Sequence, residues 1–424
     1  MRLMILSAVI CSAVTGLPSA ASAQELIPGF AAARPDSTVK ALVGRLDLQR
    51  YRATVKGLTQ FGDRRQGTAR NRAAVDWIES QLRSYGCANT ERVHYEYARR
   101  QIPLPSAADS AAAEGGNGAR GAGAGDVARG ARGPGRGGLS DPVKGTRAPT
   151  WVNMKPELQP DTALRRINAE PDTPGPREEV FCTKVGTRHP DEMYIVGGHM
   201  DGHGFGAAAN DDGSGTALVM ELARVFNAPD VVTERSIRFV LWNNEETGLN
   251  GAHAYVDQRK DLQGKENPVG SGKYPEPRWL GMIQHDMMMF DHGMPGPAGK
   301  VSPEQRREAD VNVEFAGRSK YADQAQTLAW FFRLANDKYA TDYPAAVGDR
   351  MSNTDSDAFK DLVAAISLRE NERLAQIGNG WDPQWHQPTD VYSTYSDTDF
   401  RLGLNAAQTT LSAIAHLTGA TIKK

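Results

Sequence analysis

The sequence predicts an α/β domain built around a largely parallel, buried sheet. Predominantly apolar runs at 193–198, 237–242, 279–283 and 364–368 lack the strict alternation of half-exposed strands, as expected of strands covered on both faces. Segments with helical character lie between them, around 213–226 and 252–256, and strands alternating with helices imply parallel pairing. Polar, chemistry-bearing residues follow three of the runs directly: Gly197-Gly198-His199-Met200-Asp201, Asn243-Asn244-Glu245-Glu246-Thr247-Gly248 and Gln284-His285-Asp286. The carboxyl ends of such strands are where ligand crevices open.

The chain has 424 residues and a formal net charge of -2. That balance argues against a nucleic-acid or membrane-surface partner, which a lopsided charge would favour. Met1-Arg2-Leu3, an apolar run to about Leu17 and Ala21-Ser22-Ala23 before Gln24 have the layout of a secretory signal peptide over residues 1–23. The apolar stretch is short of the roughly 20 residues that span a bilayer. An exported protein, periplasmic or extracellular, is therefore expected.

Residues 24–105 read as N-terminal helices and a first strand, with helical spacing at 38–60 and 70–85 and a strand near 91–97. In the second helix Ala73, Ala74, Trp77, Ile78 and Leu82 share a face, and Gly86 stands where a C-terminal cap belongs. Residues 106–147 are rich in Gly, Ala and Arg without aromatics. Such a stretch cannot bury enough surface to offset its ordering entropy and is expected to be a disordered insertion; without stacking groups it makes a poor RNA-binding arm. Residues 148–424 complete the domain and end in a helix near 397–417. At about 150 residues per domain the length suggests two or three domains; without the signal and the insertion, one large domain is expected. Cys87 and Cys182 flank or occupy candidate strands, so in an oxidising compartment they either bridge, if those strands pair, or remain buried thiols.

Two further segments complete the candidate site, Asn210-Asp211-Asp212-Gly213-Ser214-Gly215 at a helix start and Trp385-His386-Gln387-Pro388-Thr389-Asp390 in a loop. Singly, each piece is ordinary; one acid of the Asp211-Asp212 pair suits a helix N-cap. Together, carboxylates gathered at one rim repel one another, and a bound cation offsets that cost. Nitrogen and oxygen donors without thiolate suit zinc, and also manganese or cobalt.

In these motifs the segment 194–390 resembles metallopeptidase family 28, the co-catalytic zinc aminopeptidases of the aminopeptidase Y and bacterial leucyl aminopeptidase type. The resemblance implies a three-layer α/β/α fold with a mixed central sheet and two zinc ions per chain. By position, His199 and Asp286 would hold one ion, Glu246 and His386 the other, and Asp211 would bridge them. Glu245 would be the general base and Asp201 would orient the His199 ring. The implied substrate is a peptide with a free N-terminus. Where many members carry Ser-Asp-His, this chain has Asn353-Thr354-Asp355-Ser356-Asp357, so only Asp355 matches. Long loops at 259–278 and 291–309 are placed to shape specificity. The remaining histidines read as structural or surface groups, with His203 and His285 the exceptions to check because they flank ligands. Competing readings are a two-zinc carboxypeptidase, dipeptidase or deacylase, a glutaminyl cyclase-like acyltransferase, and a non-catalytic binding domain.

Overall fold

The computed structural model describes residues 29–97, 155–293, 302–305, 311–370 apart from 341 and 352, 382, and 384–423. The expected signal at 1–23 and insertion at 106–147 lie outside these residues.

The helical region expected at 38–60 is two helices, α1 (Ser37–Val43) and α2 (Leu48–Thr59). Gly44 ends the first, and Asp47 starts the second by accepting the Arg50 N–H at 2.8 Å, a cap worth about 1 kcal/mol. Helix α3 (Ala69–Ser84) buries Ala74, Val75, Ile78 and Leu82, and Gly86 follows with a positive φ of 95°. Strand β1 (Thr90–Tyr97) then pairs antiparallel with β2 (Gly175–Lys184), placing Thr90 opposite Cys182. Cys87, just before β1, is bonded to Cys182 with the Cα atoms 5.9 Å apart. The cysteines are bridged: the pairing of β1 with β2 brings Cys87, ahead of β1, beside Cys182 in β2.

Between β1 and β2 lies α4 (Thr162–Asn168). The rest of the chain supplies β3 (His189–His199), α5 (Gly213–Phe226), β4 (Arg235–Trp242), α6 (Asn250–Arg259), β5 (Arg278–His285), β6 (Val311–Phe315), α7 (Ala322–Tyr339), β7 (Ala345–Gly348), β8 (Ala365–Glu370) and α8 (Asp397–Thr418). The eight-stranded sheet runs β1-β2-β4-β3-β5-β8-β6-β7. Its centre, β4-β3-β5-β8, is parallel. Antiparallel pairs at β1–β2, β2–β4 and β8–β6 make the whole sheet mixed.

Alternate residues of β3 serve opposite faces. Tyr194 and Val196 join the core beneath α2, α5, α7 and α8, while Met193 and Ile195 pack with Tyr255 and Val256 of α6. Helices thus cover both faces, giving three layers. Gly198 sits where β3 and α5 come closest: a Cβ there would lie 2.8 Å from the carbonyl carbon of Gly215. Register finishes the preparation of the site. His199 is opposite Trp242 and Gly198 opposite His285, so the residues after all three strands emerge at one edge.

Candidate metal centre

His199 ends β3 with its ring directed by the backbone. Its Nδ1 lies 3.0 Å from the carbonyl oxygen of Asp201, which accepts the ring proton and leaves Nε2 as the free donor atom. That Nε2 is 3.3 Å from Asp211 Oδ1 and 3.7 Å from Asp286 Oδ1. Asp211 precedes α5, and the peptide joining it to Asp212 is cis. Asp212 is the capping member of the pair: its carboxylate accepts the N–H groups of Gly215 at 2.8 Å, Met287 at 3.1 Å and His199 at 3.0 Å. One side chain therefore ties α5, the end of β3 and the turn after β5 together, leaving Asp211 to face the site.

A second group shares Asp211. His386 adopts a positive φ of 56° and points Nε2 at Asp211 Oδ2, 2.9 Å away, and at Glu246 Oε2, 2.8 Å away. The neighbouring Trp385 ring stacks on His386 with centroids 4.0 Å apart. The Asp201 carboxylate is 3.8 Å from the His199 ring and accepts the backbone N–H groups of Glu245 at 3.1 Å and Glu246 at 3.4 Å. Asp201 thus contacts the ring through its carbonyl, while its carboxylate holds the turn that carries the two glutamates.

The result is two donor triads, His199–Asp211–Asp286 and Asp211–Glu246–His386, each with ligand atoms within 4.8 Å of one another. All five residues are buried. Burial pushes the His386 imidazolium toward losing its proton, yet Glu246 and Asp211 outweigh that and hold its pKa up at about 10. Burial likewise opposes ionisation of Asp211, but hydrogen bonds to His199 and His386 keep its carboxyl well below the usual range. The acids therefore exert a field that demands positive charge in this space. The donors fit a zinc pair: two imidazoles, three carboxylates and no thiolate. Glu246 Oε1 is buried without a hydrogen-bond partner, as a carboxylate oxygen facing a cation would be. Glu245 lines the same cleft as both triads. Burial raises its carboxyl well above the usual range, with His199 opposing and Glu246, Asp355 and Asp286 reinforcing the rise.

The sequence profile of peptidase family M28 matches residues 180–410, more than half of the chain. The chain belongs to peptidase family M28. Among similar proteins, Aminopeptidase YwaD of Bacillus subtilis is 39% identical over 82 residues, or 19% of this chain and 17% of that protein. Carboxypeptidase Q of Xenopus laevis is 36% identical over 76 residues, 18% of this chain and 16% of that protein. The chain thus matches only about a sixth of the length of these two relatives. The solved structure of BSAP, a zinc aminopeptidase from Bacillus subtilis, superposes with a TM-score of 0.58 at 18% identity, covering 89% of this chain and 96% of that one. It shows the same α/β fold.

Within this M28 fold several neighbours of the triads escaped sequence reasoning. Arg369, near the end of β8, pairs with Asp286 Oδ2 at 2.9 Å and lines the cavity with Asn353 and Trp385. Arg369 directly follows the apolar run 364–368, so the strand-end signal could have found it, but a lone arginine there carries no ligand role. Asp390 was visible in its motif but carried no role; it accepts the N–H groups of Asn210 at 2.8 Å and Asp211 at 3.1 Å. Asp355, the surviving member of the altered Ser-Asp-His element, accepts from Gln284 at 2.9 Å. His285 is structural, spanning Gly197 O at 3.0 Å and Thr410 Oγ1 at 2.8 Å. His203 sits closer to the site, its Nε2 being 3.1 Å from the Glu246 carbonyl oxygen.

Proposed function

We propose that the protein is an exported zinc aminopeptidase that removes N-terminal residues from peptides, with one ion at each triad. The observation that carries this reading is Asp211, which presents Oδ1 to His199 and Oδ2 to His386 and so suits a carboxylate bridging two ions. Bound there, paired zinc ions would polarise a scissile carbonyl and acidify a water molecule. The chain's own residues do the rest. Glu245 takes the proton from the attacking water and returns it to the departing amine, a role typically worth about 10²–10⁴ in rate. Asp201 keeps Glu245 and Glu246 in place through their backbone, and the His199 ring through its own carbonyl.

Export is supported by the Cys87–Cys182 bridge, since disulfides persist in oxidising compartments. No helix among the described residues is long and apolar enough to cross a membrane. The local similarity to Carboxypeptidase Q favours a two-zinc carboxypeptidase or dipeptidase as the second reading. Aminoacyl-p-nitroanilides, N-blocked analogues and a free peptide, each with and without chelator, separate the two. Chelator-sensitive loss of N-terminal residues is the expected result. Cleavage of blocked substrates alone, or shortening of the peptide from its C-terminus, would overturn it.

A further inference from the structure

The two triads share Asp211, and each adds one imidazole and one further carboxylate, yet their surroundings differ in charge. Asp286 offers Oδ1 toward His199 while its Oδ2 is taken by the Arg369 guanidinium at 2.9 Å. The ion pairs of Glu246 among the described residues are with the two histidines, His386 and His203. Arg369 is only 3% exposed at its side chain and cannot swing into solvent. Its Nη2 also donates to the Asn353 carbonyl at 3.2 Å, and on its far side Glu314 lies 3.8 Å away. Glu314 is in turn held by the Asn312 amide at 2.8 Å.

We propose that Arg369 is a positioning residue acting through Asp286, neutralising part of that carboxylate and making His199–Asp211–Asp286 the weaker cation site and Asp211–Glu246–His386 the tighter. A neutral hydrogen-bond donor behind a ligand orients it and usually tightens metal binding. A fixed cation orients it too, but it also repels the incoming metal, and in a buried site that repulsion is weakly screened. The metal at the Asp286 site would then receive less charge from its ligand and remain the stronger Lewis acid.

The inference rests on the two-metal reading above, and zinc titration of metal-stripped protein against a competing chelator tests each separately. Wild type should take up two ions with affinities at least about tenfold apart. R369Q should tighten the weaker site about tenfold and narrow the gap, while kcat at saturating zinc falls and KM holds. R369K, which keeps the charge, should preserve the gap. E314Q leaves more of the guanidinium charge on Asp286 and should weaken the weaker site further. A purely structural role predicts weakening of both sites in R369Q; that result, or an unchanged gap, would overturn the proposal. Should R369Q not fold, E314Q decides, and an unchanged or tightened weak site overturns the proposal. A wild-type protein that takes up no zinc overturns the two-metal reading itself.

Discussion

Asp390 accepts the backbone N–H of Asp211 on Oδ2 at 3.1 Å, fixing the shared acid of the two triads from behind. Its Oδ1 accepts the Asn210 N–H and the Tyr395 hydroxyl, at 2.8 and 2.9 Å. Asp390→Ala leaves two buried N–H groups without an acceptor, at a cost of about 1–3 kcal/mol each. The expected outcome is a lower melting temperature with zinc affinity reduced about 10–100-fold, read by thermal denaturation and metal titration. A variant with wild-type zinc affinity would show that Asp211 needs no such support.

Glu245 and Asp211 should separate chemistry from metal binding. Glu245→Gln keeps the metal content and loses about 10²–10⁴ in kcat, whereas Asp211→Ala loses metal. Metal analysis beside steady-state kinetics reads both. Near-normal turnover by the Glu245 variant would remove it from the proposed role of base.

Gly204 lies against the backbone of His386. Its φ is 92°, and a Cβ placed on it would come 2.2 Å from the His386 carbonyl oxygen. The Gly204→Ala change therefore displaces the loop that presents the second imidazole. We expect one equivalent of zinc to be lost, at a cost of the few kcal/mol seen where positive φ and overpacking coincide. Retention of full metal content would show that this loop can yield without moving His386.

The Cys87–Cys182 bridge closes a loop with a sequence separation of 95. Loops near 100 residues are stabilised by roughly 4.7 kcal/mol on the chain-entropy account, and removing a native bridge usually costs about 2–5 kcal/mol. C87S/C182S should unfold at clearly lower denaturant concentration. Intact mass after alkylation should also rise only when reductant is present. Identical masses under both conditions would contradict the bridge.

The strand-end cluster was legible because unbroken apolar runs mark buried strands and ligand crevices open at their carboxyl ends; the metal-holding roles of His199, Glu246 and Asp286 came only with the family resemblance. The helix-capping member of Asp211-Asp212 was not decidable in advance, since either carboxylate can cap. It is the contacts of Asp212 with His199, Gly215 and Met287, from separate segments, that assign it. Helix α1 and helix α2 merged in the sequence pattern because the apolar spacing continues through Gly44 and Asp47. The antiparallel flanks depend on pairing across distant segments, which composition does not report; the mixed sheet was expected only through the family resemblance. Arg369 stayed hidden because its meaning comes from Asp286, Glu314 and Asn353, none of them near it in sequence.

The register that aligns His199 with Trp242 and Gly198 with His285 has a consequence for how the molecule assembles. The donors stand at positions 199, 211, 246, 286 and 386, and no short stretch of chain contains even one complete triad. Contacts between such distant segments are slow to form, because the entropy of closing long loops is met before the contacts reward it. On the two-zinc reading, ion uptake would come late, after the central strands have paired. Because only the folded state offers both triads, metal binding pulls the folding equilibrium of the whole domain forward. Zinc retention serves as a gauge of global integrity, and limited proteolysis anywhere between 199 and 386 should release the ions as soon as the pieces part.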